Sequence, residues 1–245
     1  MITEKLYFGH VADLKIEDIL EIVSSYQKDA DLDLIRKAYE FAHHAHRDQK
    51  RSSGEPYIIH PMNVALTLAK LKMDSDCVMA GFLHDVVEDC NVTADEIGKL
   101  FNKQVEQIVV GCTKISKIEF KSKKESQAEN FRKMIVAMAQ DIRVIIVKLA
   151  DRMHNMRTLQ YMAKEKQVKK AQETLDIYIP LANRLGIHSV KSELEDLCLR
   201  FIHPEVYYRL AEKVAMKKTD RDDFIGGIVT EINSYLQEYG IKGDV

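Results

Sequence analysis

The chain has 245 residues, with 36 Lys and Arg against 38 Asp and Glu and a formal net charge of -2. This length suits one large domain or two small ones, and 46% hydrophobic residues with only four prolines exclude a disordered protein. The neutral balance argues against a nucleic-acid coat, which needs a basic excess, so we expect no DNA partner. No apolar run reaches bilayer length and the start lacks a signal-peptide core, which predicts a cytoplasmic protein without a membrane partner.

Helical periodicity runs along the chain and predicts an all-α fold. Ten glycines and four prolines leave few breaks, and apolar residues recur at the spacing of one helical face. The turn-forming segment 50–57, KRSSGEPY, predicts a surface loop, and His60-Pro61 then opens a helix because proline suits a first turn. The next helix is predicted over residues 76–89, with a buried stripe of Met79, Phe82, Leu83, Val86 and Val87.

A basic segment separates this region from a second long helix. Between residues 114 and 133 there are seven Lys and Arg against three Glu, which predicts a loop over 114–127; by itself such a run is a solvated connector. A long helix is predicted over residues 141–162. Its buried side is expected to contain Ile142, Ile145, Ile146, Leu149, Met153 and Met156.

The pattern changes beyond Glu165, where three further helices are predicted. Pro180 is expected to kink the first of them, and Gly186 to end it. Pro204 then starts the chain again as a helix. Thr219 with Asp222 has the spacing of a capping box, which predicts another helix start there.

The helix predicted over residues 76–89 has an unusual polar face. At about 100° per residue, His84 and Glu88 lie within roughly 40° of each other, and Asp85 and Asp89 form a second pair four residues apart. Gly81 falls between the two pairs. Acids crowded beside a histidine on a core helix repel one another unless a cation intervenes, so this face predicts a metal site. The alternative is a solvated face whose acids point to water.

Two residues elsewhere extend this pattern, His60 before the helix and Asp151 in the second long helix. Asn155 and Thr158 follow Asp151 on the same polar face. Taken alone, Asp151 beside Arg152 is most simply interpreted as a surface ion pair. Other histidines are interpreted as packing or supporting residues rather than ligands, namely His43, His44, His46 and His154.

Three motifs, in order, carry a resemblance to a known family. GEPYIIHP, FLHDVVED and IRVIIVKLADRMHNMRT resemble the hydrolase half of the RelA/SpoT homologues, enzymes that make and degrade the alarmone ppGpp. More broadly they resemble the HD superfamily of metal-dependent phosphohydrolases, whose ligands are a His, an adjacent His-Asp and a distant Asp. The motifs cover most of residues 39–159. The resemblance implies an HD-type helical domain followed by a helical connector bundle.

The resemblance also implies the residues of the site. The metal ligands are expected to be His60, His84, Asp85 and Asp151. Two imidazoles and two carboxylates leave manganese, iron and zinc open, and the family favours Mn²⁺. Glu88 and Asp89 match the Glu-Asp pair that marks hydrolytically competent members. The implied reaction removes the 3′ pyrophosphate of ppGpp or pppGpp, with Glu88 handling a proton and Asp89 as its partner.

The family places an RKSG-like loop against guanine, and the match here is Arg51, Ser52, Ser53 and Gly54. Arg51 can stack on a purine and Ser53 can hydrogen-bond an edge of the base. Ser52 departs from the pattern, because a basic residue is usual there. Lys50 or the basic loop from Lys114 is expected to supply the missing charge.

Asn155 and Thr158 match family positions near the nucleoside. Tyr57 either packs beside the site or is simply a buried aromatic next to Pro56. Along the chain, the resemblance implies a hydrolase domain over residues 1–165, a helical connector bundle over 166–220, and a helix over 221–245 that leads toward an absent synthetase domain. The implied partners are ppGpp or pppGpp, and the synthetase and regulatory domains of a longer parent chain.

Two alternatives stay open at this point. One is an HD phosphohydrolase that acts on another nucleotide. The other is a catalytically weak pseudo-hydrolase region of a ppGpp synthetase, which senses guanine nucleotides without turning them over. The intact His84-Asp85 and Glu88-Asp89 pairs favour a live hydrolase, while Ser52 favours the sensing alternative.

Overall fold

The computed structural model describes residues 14–116, 141–238 and 243, and it does not cover the side chains of residues 115–116, 216–223 and 238. Within these ranges the chain is helical and contains no strand, which confirms the all-α prediction. One isolated bridge, between Lys50 and Pro56, closes the loop 50–57. No helix in the described ranges is both long enough and apolar enough to cross a membrane.

Seven helices of the first half pack around one apolar core. Asp31 caps α2 by accepting a hydrogen bond from the backbone N–H of Leu34 at 2.9 Å, and Thr93 with Glu96 forms a capping box at α6. As predicted, the helix with His60 and Pro61 follows the loop 50–57. The helices are α1 (Ile16–Tyr26), α2 (Leu32–Ala45), α3 (Ile59–Lys70), α4 (Ser75–Leu83), α5 (Val86–Asp89), α6 (Ala94–Leu100) and α7 (Lys103–Ser116).

The prediction of one continuous helix over residues 76–89 is wrong. α4 ends at Leu83, α5 begins at Val86, and His84 and Asp85 form a turn between them. Neighbouring residues on a continuous helix point about 100° apart, so the two side chains would diverge. The turn instead allows the side chains of His84 and Asp85 to approach each other, with Asp85 Oδ2 at 3.2 Å from His84 Nε2.

The absence of a side chain at Gly81 serves helix packing and not the site, contrary to the interpretation of the helix face. A Cβ atom at Gly81 would lie 2.6 Å from Leu68 Cδ1 and 3.2 Å from Ala65 Cα on α3. Glycine therefore permits the close approach of α3 and α4. The predicted apolar stripe is buried at Met79, Phe82, Leu83 and Val86 and partly buried at Val87.

The second half is also helical, and the predicted helix 141–162 ends earlier than expected. Its regular part stops at Arg157, after which the chain tightens into a 3-10 turn. Ile142 was expected to be buried but is 46% exposed, because it is the first helical residue. The elements are α8 (Ile142–Arg157), the 3-10 turn (Leu159–Tyr161), α9 (Lys164–Glu173), a π-helical turn (Thr174–Tyr178), α10 (Ile179–Arg184), α11 (His188–Ile202) and α12 (Pro204–Glu238).

Proline and glycine act near α10 as the sequence predicts. Pro180 lies in the first turn of α10, directly after the π-helical turn, where the regular hydrogen-bond ladder is interrupted. Gly186 has φ +71° and follows the last helical turn. Its N–H donates to Asn183 O at 3.1 Å, and the N–H of Ile187 donates to Ala182 O at 3.0 Å, which ends the helix.

Two other predictions about boundaries are wrong. Pro204 does start α12, but the helix runs on through Thr219 and Asp222, so no capping box begins a helix there. The predicted loop 114–127 begins too early, because Lys114 lies in the last turn of α7. Residues 117–127 lie outside the described residues.

α8 is shared between the two apolar cores of the protein. One of its faces packs with α1–α7 and the next face packs with α9–α11. Asp151 lies on this helix, so its position is determined by packing on both sides. The two sets of buried α8 side chains are Val144, Ile146, Val147 and Ala150 for the first core and Ile145, Leu149, Met153 and Met156 for the second.

Candidate metal centre and nucleotide cavity

The four predicted ligands converge where α3, the turn after α4, and α8 meet. One donor atom from each of His60, His84 and Asp151 lies within 4.8 Å of the others. Asp85 Oδ2 lies 3.2 Å from His84 Nε2 and 3.5 Å from His60 Nε2, and Asp151 Oδ1 lies 3.4 Å from His60 Nε2. We call these four residues the metal cluster.

Hydrogen bonds behind the metal cluster orient both imidazoles. His84 Nδ1 lies 2.9 Å from the Gly81 carbonyl oxygen and donates to it, which leaves the Nε2 lone pair facing the acids. His84 Nε2 is buried and has no hydrogen-bond partner in the described part of the chain. His60 Nδ1 lies 2.8 Å from Nδ1 of His154. His154 therefore contacts a candidate ligand from behind, in agreement with its interpretation as a supporting residue. An orphaned buried nitrogen among carboxylate oxygens is the arrangement that a divalent cation completes.

Asp151 is paired differently from the sequence interpretation. Its Oδ2 accepts a hydrogen bond from Lys148 Nζ at 2.6 Å, and its Oδ1 accepts one from Asn155 Nδ2 at 2.5 Å. Arg152 instead donates to Glu173 at 2.8 Å, so the interpretation of Asp151 and Arg152 as a surface ion pair is wrong. Lys148 and Asn155 lie on the same face of α8 as Asp151, where the spacing of three and four residues brings them together.

The electrostatics of the metal cluster favour ionised carboxylates. Burial alone would raise the pKa of Asp85, but the neighbouring imidazoles of His84 and His60 hold it well below the ordinary value. Burial also opposes ionisation of Asp151, yet the Lys148 ammonium and a hydrogen bond from His60 keep its pKa well below the ordinary value. Burial lowers the pKa of His84, whereas Asp85 and Asp151 raise it, and the net shift is upward. The cluster thus concentrates negative charge on oxygen atoms.

Three members of the metal cluster, His60, Asp85 and Asp151, form the floor of a cavity of about 500 Å³, and His84 lies buried behind them. Glu88 and Asp89 line it, are exposed, and follow Asp85 on the short helix α5. Tyr57 also lines it, with its hydroxyl 2.8 Å from Asp85 Oδ2 and 3.0 Å from Asp89 Oδ2. Of the two interpretations of Tyr57, the one that packs it beside the site is confirmed.

Residues 50–56, which precede Tyr57, form one edge of the cavity, and we call this segment the rim loop. Arg51 N donates to Glu55 O at 2.9 Å, and Gly54 has φ +89°, which favours glycine. The Arg51 guanidinium donates to Asn155 Oδ1 at 2.7 Å and lies 3.5 Å from Thr158 Oγ1. These contacts join three of the predicted nucleotide-binding residues.

The two other predicted nucleotide-binding residues are placed differently. Ser53 lines the cavity, and its hydroxyl donates to Glu55 Oε2 at 2.7 Å. Lys114 is exposed at the end of α7 and is not among the residues that line the cavity. Ser52 and Lys50 both line it.

Sequence reasoning missed the part of the cavity lining that Arg152, Glu173 and Tyr178 form. There Arg152 is buried, lies 4.1 Å above the Tyr178 ring, and bonds Glu173, which also lies 3.6 Å from Lys170. Tyr178 belongs to the π-helical turn, a feature that sequence periodicity does not reveal. Lys148 was missed as well, although its position three residues before Asp151 is a signal that could have identified it.

Comparison with known proteins places this geometry in a family. A model described as HD domain matches residues 38–188. A GTP pyrophosphokinase of Myxococcus xanthus is 52% identical over 91% of this chain, and the bifunctional (p)ppGpp synthase/hydrolase SpoT of Escherichia coli is 48% identical over 92%. The chain spans only 30% and 32% of the lengths of these two relatives.

A solved structure is similar as well. It belongs to a metazoan ortholog of SpoT that hydrolyzes ppGpp, and it matches with a TM-score of 0.50 and 26% identity. The match covers 68% of this chain and 94% of that chain. The match to the HD domain over residues 38–188 agrees with the helical fold of the described residues and with the position of the metal cluster. The chain therefore belongs to the HD-domain family, within which it is a RelA/SpoT homologue.

Proposed function

We propose that this chain hydrolyses the 3′ pyrophosphate of ppGpp or pppGpp, giving GDP or GTP and pyrophosphate. The observation that carries the proposal is the orphaned His84 Nε2 among the acids of the metal cluster, whose other three members line a cavity with a nucleotide-sized volume. Relatives named guanosine-3′,5′-bis(diphosphate) 3′-pyrophosphohydrolase, 44–48% identical to this chain, support the substrate class.

The metal cluster is proposed to hold one Mn²⁺ through His60, His84, Asp85 and Asp151. Two neutral imidazole nitrogens and two carboxylates fit a divalent transition metal, and the resemblance to the family selects manganese. When bound, such an ion lowers the pKa of a coordinated water and neutralises charge on phosphoryl oxygens. The chain itself supplies the orientation: His154, Lys148 and the Gly81 carbonyl fix the ligands before the substrate arrives.

Glu88 and Asp89 are proposed to carry out the proton transfers of the reaction. The water oxygen forms a bond to the proximal 3′ phosphorus, and the bond from that phosphorus to the ribose 3′ oxygen breaks. Glu88 accepts a proton from the water or returns one to the departing ribose oxygen. Glu88 is exposed at the cavity, and its carboxylate has no hydrogen bond or ion pair within the described residues, so it is available for this role. Asp89 is its partner.

The nucleoside is proposed to bind at the rim loop. Arg51 is fixed by Asn155 and Thr158, which are uncharged, so its positive charge is not neutralised by an acid. The Arg51 guanidinium can stack on guanine. The Ser53 hydroxyl can then give up its hydrogen bond to Glu55 and form one to an edge of the base. Lys50 has no ion pair within the described residues, and we infer that it replaces the charge missing at Ser52.

The remaining proposals concern the wider protein. We infer a cytoplasmic location, and synthetase and regulatory domains in a longer parent chain, since the curated relatives are about three times as long. Lys114 is proposed to contribute to binding of the phosphates. The division into residues 1–165, 166–220 and 221–245 remains a prediction.

Incubation with ppGpp and Mn²⁺ tests the proposed function through release of pyrophosphate. Glu88→Gln is expected to lower kcat at least about 10²-fold, because a neutral amide cannot carry the proton. Glu195→Gln, at a 46% exposed side chain on α11, is the matched control and should retain full activity. No release by the parent chain would contradict hydrolysis, and retained ppGpp binding in that case would favour the sensing alternative.

A further inference from the structure

Tyr57 joins two acidic groups that the proposed chemistry treats separately. Its hydroxyl lies 2.8 Å from Asp85 Oδ2 and 3.0 Å from Asp89 Oδ2. Asp85 Oδ2 is the same oxygen that faces both imidazoles of the metal cluster. One phenol group therefore links a proposed metal ligand to one member of the Glu-Asp pair.

The Tyr57 ring is fixed on several sides. It stacks on the His46 ring at 4.5 Å between centroids and meets the His60 ring edge-on at 6.0 Å. Its backbone N–H donates to Gln49 O at 3.1 Å, and its carbonyl accepts from His60 N at 2.9 Å. These contacts leave the hydroxyl little freedom to move, so it can serve as a fixed reference point for the acids.

Asp89, in contrast, has few restraints of its own. α5 has only four residues, and Asp89 is exposed at its end. Its backbone is tied by its own N–H to Asp85 O at 2.8 Å and by Gln49 Nε2, which donates to Asp89 O at 3.1 Å. Among the hydrogen bonds described for this part of the chain, the Tyr57 hydroxyl is the group that contacts the Asp89 carboxylate.

We propose that Tyr57 is a positioning residue, whose hydroxyl sets the distance between the Asp89 carboxylate and the metal ligand Asp85. The inference rests on the proposed function for its catalytic consequence. A phenol carries a single proton and satisfies one carboxylate at a time, so the hydroxyl links the acids without neutralising either of them. Partners of this kind, one contact behind a metal ligand, typically change metal affinity or activity 10–100-fold when they are removed.

A first experiment needs no nucleotide. Mn²⁺ titration of the metal-free protein, followed by electron paramagnetic resonance of the free ion, is expected to show about tenfold weaker binding in Tyr57→Phe. Tyr26→Phe is the matched control, because Tyr26 is another half-buried tyrosine whose hydroxyl donates, here to Met73 O at 2.6 Å. The control should bind Mn²⁺ like the parent. Equal affinities in Tyr57→Phe and the parent would overturn the link to Asp85.

A second experiment tests the link to Asp89 with a double-mutant cycle. At saturating Mn²⁺, Tyr57→Phe should lower kcat for ppGpp about tenfold and change KM less than twofold. Because Tyr57 acts through Asp89, combining it with Asp89→Asn should be no slower than Asp89→Asn alone. Additive losses, or a loss confined to KM, would overturn this half of the proposal. A parent chain without hydrolytic activity would contradict the proposed function, and the Mn²⁺ titration would still decide the role of Tyr57.

Discussion

The metal cluster and the rim loop face the same cavity but are built in opposite ways. His60 and His84 are each 1% exposed, and every member of the cluster has a fixed neighbour behind it. The rim loop is half-exposed and depends on short backbone bonds and on the contacts of Arg51 with α8. Folding therefore prepares the chemistry at the floor, while the rim can adjust to the nucleotide.

The largest expected effect comes from the floor. Asp85→Asn keeps the shape of the side chain but removes a ligand charge, so we expect hydrolysis to fall at least about 10³-fold, since the bound ion supplies several kcal/mol. The stabilisation of the protein by Mn²⁺ should also disappear from thermal melts. Asp95→Asn, at a side chain that is 74% exposed, is the control and should behave as the parent does. An Asp85→Asn variant with normal Mn²⁺ stabilisation would remove Asp85 from the ligand set.

The next effect concerns the stability of the floor. Lys148→Met leaves the buried Asp151 without its ammonium partner, and we expect a loss of about 3 kcal/mol in the free energy of unfolding of the metal-free protein. Mn²⁺ should restore part of this loss, because the cation replaces the missing positive charge. Urea denaturation with EDTA and with Mn²⁺ measures both values. Lys99→Met, an exposed lysine paired with Asp95, should change stability by less than about 0.5 kcal/mol.

A smaller and different effect is expected at the rim loop. Arg51→Ala should raise KM for ppGpp about tenfold and leave the Mn²⁺-dependent shift in melting temperature unchanged, since Arg51 contacts no member of the metal cluster. Arg51→Lys should recover little, because an ammonium group cannot stack on a base as a guanidinium does. Steady-state kinetics and thermal melts separate the two outcomes. A loss of Mn²⁺ stabilisation in Arg51→Ala would erase the contrast between floor and rim.

The smallest effect is a gain. Ser52→Lys returns a positive charge to the exposed rim, and we expect KM for ppGpp to fall about threefold at low salt, with the gain lost at high salt through screening. Ser189→Lys, at an exposed position on α11, adds the same charge away from the cavity and is the control. Kinetics at two ionic strengths provide the measurement. An equal gain in both variants would mean that net charge, and not position 52, determines affinity.

Sequence periodicity predicted the helices well because burial on one face repeats every 3.6 residues. It failed where the chain leaves that period: the turn at His84 and Asp85 lies inside an unbroken apolar pattern, and Thr219 imitates a cap inside a long helix. The motifs named the site residues, but they did not reveal the contacts that hold these residues in place. Tyr57, Lys148 and Arg152 acquire their roles from contacts between elements that are distant in sequence.

The sequence by itself determined the helical class, the order of the motifs and the identity of the candidate ligands, because these depend on residue type and spacing. Tertiary structure alone decided that α4 breaks at His84, that Gly81 serves helix packing, and that Asp151 pairs with Lys148 rather than Arg152. The physical reason is the same in each case. Packing between helices that are distant in sequence, such as α3 against α4 and α8 between two cores, determines which side chains meet, and local spacing carries no information about that packing.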